Sequence, residues 1–105
     1  MRAKVSFILG LCLAVAGGAQ AAGDPAAGQK KATTCLGCHG VEGYRNAYPA
    51  YHVPRLGGQH AQYIVSALKE YKSGKRQHGT MRAQATTLSE EDMQDIAAYF
   101  EQAGK

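Results

Sequence analysis

The chain has 105 residues, a length that sets a single domain as the starting expectation, with a formal net charge of +4. Arg2 and Lys4 supply two of those charges ahead of an apolar run from Val5 to Ala16. Without that segment the chain is close to neutral, which excludes the strongly basic character of a nucleic-acid binder.

The N-terminus has the layout of a secretory signal peptide. A basic n-region precedes an apolar run too short to span a bilayer, and Ala19-Gln20-Ala21 gives a small-x-small cleavage pattern. The expected division is a signal peptide at 1–21, cleaved near Ala21, and one domain at 22–105. The mature chain should carry no membrane span. Cys12 would be lost with the leader; Leu11 before it and the short run argue against a lipidated cysteine. Export places Cys35 and Cys38 in an oxidising compartment, the periplasm.

Asp24-Pro25 opens the first predicted helix, Asp as cap and Pro at the first helical position. Ala26 to Thr34 is small and polar, and Gly28 and Ala32 share one face, so this helix can approach another closely. Next comes Cys35-Leu36-Gly37-Cys38-His39. Gly40, Gly43 and Pro49 then mark a long irregular loop to about Gly58, with Tyr44, Tyr48 and Tyr51 on it. A loop of that length in a small domain needs something to wrap. From Gln59 to Lys72, apolar residues at Tyr63, Ile64, Ala67, Leu68 and Tyr71 predict an amphipathic helix, stopped at Ser73-Gly74. Lys75 to Thr87 reads as a polar loop with one large apolar residue, Met81. A last helix starts at Ser89, with Asp92 completing a short capping box. It carries Met93, Ile96, Ala97, Tyr99 and Phe100 inward and frays near Gly104. No alternating run predicts a strand, so the expected fold is all-α.

Three chemistries compete for Cys35–His39. A thiol–disulfide site needs only the two cysteines but belongs beside a strand in a βαβ unit, and none is visible. A zinc site needs four ligands; Cys35, Cys38, His39 and one of His52, His60 or His78 could be counted, but no second close pair exists. Covalent c-type haem explains the adjacent histidine, the export signal and the helical pattern together. Each thiol would bond one vinyl group, and His39 would be the proximal iron ligand. A covalent haem would also staple a domain with a modest core.

Candidates for the sixth ligand are Met81, Met93, His52, His60 and His78. Met93 lies on an apolar helix stripe, where packing is its expected role. Met81 sits alone on a loop that could cross to the face opposite His39, with His78 in reserve. Both axial positions filled would leave no open site, which describes an electron carrier rather than an enzyme.

These features together resemble a class I cytochrome c, of the short bacterial kind that occurs singly or as half of a dihaem protein. Besides the Cys35–His39 motif, Pro54-Arg55-Leu56-Gly57-Gly58-Gln59 is similar to the family's Pro-x-Leu-x-Gly-Gln turn. The resemblance implies that the Pro54 carbonyl receives Nδ1–H of His39, and that Met81 is the distal ligand ahead of Leu88-Ser89-Glu90-Glu91-Asp92. It also implies that Gly28 is the point where the first helix crosses the Ile96–Tyr99 face of the last. The implied function is single-electron transfer between larger redox proteins by a monomeric periplasmic carrier, through an exposed haem edge. Lys69, Lys72, Lys75, Arg76 and Arg82 are the expected docking side chains. The alternatives are a haem subunit of a larger oxidoreductase complex and a ligand-binding or peroxidase-like haem protein.

Overall fold

The structure is a computed structural model that describes residues 22–47 and 50–103. The leader at 1–21 with its cleavage site, Cys12, Tyr48, Pro49 and the fraying at Gly104 lie outside the described residues. Five helices and one hairpin follow in order: α1 (Pro25–Lys31), α2 (Thr33–His39), β1 (Arg45–Ala47), β2 (Ala50–His52), α3 (Ala61–Ser73), α4 (Gly79–Thr86) and α5 (Glu90–Ala103). Among the described residues no helix is long and apolar enough to cross a membrane.

The caps form as their residue types dictate. Asp24 Oδ1 accepts the Ala26 amide at 2.9 Å, with Pro25 opening α1. Gly74 closes α3 at φ 83°, in the left-handed region where glycine carries no steric cost. Before α5 the capping box is reciprocal: the Asp92 amide donates to Ser89 Oγ and the Ser89 amide to Asp92 Oδ2, both at 3.0 Å.

The core gathers Ile64, Val65 and Leu68 of α3, Ala85 of α4, and Met93, Ile96, Ala97 and Phe100 of α5, with Ala32 between α1 and α2. Met93 is 2% exposed, the packing role expected of it. Helix α1 crosses α5 at Gly28, where an added Cβ would collide with the Asp95 carbonyl and meet Tyr99 Cβ at 3.0 Å. A polar tie seals the same crossing. Asp95, 5% exposed, accepts the Asp24 amide at 2.8 Å and the Lys31 ammonium at 2.6 Å. Lys31 also pairs with Asp92 at 2.9 Å. These partners hold the Asp95 carboxyl below the usual carboxylate range and bring Asp92 down to about 2, in each case chiefly through the Lys31 hydrogen bond.

The sequence expectation departs from the structure in three places, the first being that the opening helix ends at Lys31 and Thr33–His39 forms a helix of its own. The long loop contains an antiparallel hairpin, Arg45 opposite His52 and Ala47 opposite Ala50, which the absence of an alternating run did not predict. Each strand is three residues long, with one half-buried residue, Asn46 or Tyr51, between two exposed ones. A period of two cannot be read from so short a run. Met81 lies on a helix, not in a loop. Helix α4 has eight residues, begins at Gly79 and carries Thr80 and Thr86, so propensity and periodicity are both weak. Its cap is a histidine, outside the usual capping set.

Candidate functional site

Helix α2 is the motif itself. Cys35, Cys38 and His39 stand at i, i+3 and i+4, which puts the two thiols and the imidazole on one face. Ala32, fully buried, marks the bend between α1 and α2 and anchors this short helix to the core. Both cysteines are free and half-buried. Burial pushes the Cys35 thiol up from its ordinary value, with a hydrogen bond to Thr34 acting against it.

The turn at Pro54 to Gln59 lies behind His39. The His39 Nδ1–H donates to the Pro54 carbonyl at 2.7 Å, because a carbonyl can only accept. That bond fixes the tautomer and leaves Nε2 as the lone-pair nitrogen. The turn is held in place by Gly58, at φ 84°, whose amide donates to the Phe100 carbonyl at 2.8 Å.

Cys35, Cys38 and His39 line a cavity of about 390 Å³, within the usual range of a cofactor site. Met81 lines it too, from α4. All five residues of the apolar stripe of α3, Tyr63, Ile64, Ala67, Leu68 and Tyr71, form part of its wall. Periodicity identified that stripe but could not distinguish a face turned to the protein core from one turned to a cavity. Tyr51 of the hairpin also lines the wall, whereas Tyr44 does not. Val53, Leu56, Leu88 and Ile96 complete the apolar lining.

The remaining candidates separate clearly. His60 is exposed, at the cap of α3, and does not line the cavity. His52, itself exposed, and His78 both line it. Among the described residues no group of three or more His, Cys, Asp or Glu side chains is placed to hold a metal ion, which counts against the zinc set. Three members of the basic cluster bond within the chain, Lys69 and Lys72 while exposed and Arg76 half-buried. Lys69 pairs with Glu90 at 2.7 Å and Lys72 donates to the Leu88 carbonyl. Arg76 lies over the Tyr71 ring at 5.3 Å and donates to the Tyr63 hydroxyl at 3.2 Å. Lys75 and Arg82 are exposed. Arg76 also lines the cavity, a placement that a count of charges gives no means of finding.

The donor set fits a c-type haem. Two thiols flank an imidazole whose outer nitrogen is already held, a thioether shares the cavity, and the walls are aromatic and aliphatic.

Comparison with known proteins agrees. Residues 25–104 match the family model described as Cytochrome c. Cytochrome c4 of Pseudomonas aeruginosa is 44% identical over 97 residues, covering 92% of this chain and 47% of that protein. Cytochrome c-554(548) of Halomonas halodenitrificans is 48% identical over 82 residues, covering 75% of this chain and 95% of that protein. Among solved structures, reduced recombinant cytochrome c4 from Pseudomonas stutzeri matches with a TM-score of 0.58 at 27% identity, over 77% of this chain and 50% of that one. The chain thus spans about half the length of the cytochrome c4 relatives it matches, and nearly all of cytochrome c-554(548). With the motif, the cavity and the fold in agreement, the chain belongs to the cytochrome c family, and its cofactor is a covalently bound haem c.

Proposed function

We propose that this protein is an electron carrier, exported to the periplasm after cleavage near Ala21, that passes single electrons between larger redox proteins. In this reading Cys35 and Cys38 would hold the haem through thioether bonds, and His39 Nε2 and Met81 Sδ would ligate its iron. The observation that carries it is the convergence of Cys35, Cys38, His39 and Met81 on one apolar cavity. When bound, the haem supplies a one-electron Fe(III)/Fe(II) couple whose potential a thioether ligand raises.

The chain's own groups give that couple its setting. The Pro54 carbonyl holds the His39 ring in one orientation, with Nε2 turned to the cavity side as the free nitrogen. The α3 stripe and Leu56, Leu88 and Ile96 keep water from the wall. Two axial positions filled by side chains leave no site for a substrate, so the reading is of a carrier and not an enzyme. The exposed Lys69, Lys72, Lys75 and Arg82 form a basic surface that can steer an acidic partner.

The test is a potentiometric titration of the purified protein followed by absorption. A single one-electron wave is expected, and Met81→Ala should shift both the oxidised spectrum and the midpoint potential. An unchanged spectrum and potential in that variant would remove Met81 from the ligand set. N-terminal sequencing of the exported protein should begin near Ala22.

A further inference from the structure

Three elements meet at the ring of His78. Its Nδ1 accepts the amide N–H of Met81 at 3.3 Å, so the side chain caps α4 at Met81's own peptide. The same ring stands edge-on to Tyr51 of β2, centroids 4.8 Å apart at 83°, and to Tyr71 of α3, at 6.3 Å and 76°. The Tyr51 hydroxyl continues to Thr80 Oγ1 at 3.3 Å, on the first turn of α4. Tyr51, Tyr71, His78, Thr80 and Met81 all line the haem cavity.

Neither element that flanks this ring holds itself. A two-stranded hairpin is marginal alone, and a helix of eight residues is shorter than an isolated helix needs to be. Ala85 is the one buried residue of α4, and it lies a turn beyond Met81. The methionine side chain has three free torsions, so its sulfur is placed only as well as its backbone. Besides the packing of Met81 against the core, the first turn of α4 is held by what His78 touches.

We propose that His78 is a positioning residue for Met81. By capping α4 and wedging between Tyr51 and Tyr71, it holds the methionine at the cavity and lowers the fraction of time its sulfur is withdrawn. The proposal rests on Met81 as the sixth ligand.

The experiment uses the oxidised holoprotein, with imidazole as a probe that competes for the sixth position. Binding is followed by absorption, and the Met81 methyl proton resonance is recorded in the reduced protein. His78→Ala removes both the cap and the ring, and imidazole affinity should rise about tenfold, the order expected for loss of a cap together with its packing. His78→Asn keeps a capping acceptor, and His78→Phe keeps the ring; each should fall between wild type and His78→Ala. Met81→Ala should bind imidazole most tightly of all. If Met81→Ala raises the affinity while all three His78 variants match wild type in affinity and methyl resonance, the proposal is wrong. If Met81→Ala itself changes nothing, the ligand assignment fails first and takes the positioning role with it. Should His78→Ala fail to fold, the Asn and Phe variants decide by the same comparison.

Discussion

His39 and Pro54 are joined by a 2.7 Å hydrogen bond from the imidazole Nδ1–H to the backbone carbonyl. The two residues are fifteen apart in sequence, and the bond makes the loop between them part of the site. Replacing the proline does not delete a backbone carbonyl, but Pro54→Gly frees the φ angle that aims it. The expected result is a less firmly held, weaker-donating His39 and a midpoint potential above wild type. Spectroelectrochemical titration of both proteins measures it; a potential at or below wild type would show that this carbonyl does not tune the ligand.

Gly28→Ala tests the crossing of α1 and α5. The added methyl meets the Asp95 carbonyl, a backbone atom that cannot rotate away. Overpacking of this kind costs about 1–3 kcal/mol, and here the helices must separate to relieve it. Denaturant unfolding of the holoprotein should show a lower midpoint. Equal stability would mean that the helices shift apart at no cost.

Ser89→Ala removes one half of the capping box ahead of α5. The expected loss is about 1 kcal/mol in unfolding free energy, with the haem spectrum unaltered, since Ser89 does not line the cavity. A change in the spectrum would tie the start of α5 to the site.

Acid should loosen the α1–α5 tie. Asp92 and Asp95 are both held below their unfolded value of 3.8, Asp92 at about 2. Their contribution is therefore present in full above the unfolded value and is lost as pH falls from about 4 towards 2. Lys31 is shifted upward from 10.5 by the same carboxylates, so its share persists until the solution is more alkaline than that. Thermal unfolding at a series of pH values should show a falling acid limb. In Asp95→Asn that limb should be shallower and the neutral-pH stability lower. An acid limb of unchanged steepness in the variant would assign it to other groups.

Much of this molecule was legible residue by residue. Asp24-Pro25, Ser73-Gly74 and Ser89 to Asp92 marked helix ends because capping is local chemistry, decided by two or three neighbours. The α3 stripe showed itself because five apolar positions repeat on one face. What stayed hidden depended on partners distant in sequence or on very short elements. Tyr51 and Asn46 form a strand pair only because the chain doubles back. Helix α4 is capped by His78 and packs Ala85 into the core, and neither fact is visible in the string from Gly79 to Thr86. The basic residues from Lys69 to Arg82 looked like one surface. Three of them also bond to a carboxylate, a carbonyl and rings, two while exposed, and these partners belong to other turns and to other helices.

The Asp24–Asp95 bond joins residues 71 positions apart. A chain made from its N-terminus carries Cys35 and Cys38 long before α5 exists to close over α1. Contacts of such span are the late and slow ones, since the loop they close must be ordered first. The order of synthesis therefore leaves an interval in which the two thiols belong to a chain that has no finished core. Cys35 and Cys38 lie inside the loop that the Asp24–Asp95 bond closes, so the terminal helices fasten the fold across the two residues of the attachment motif.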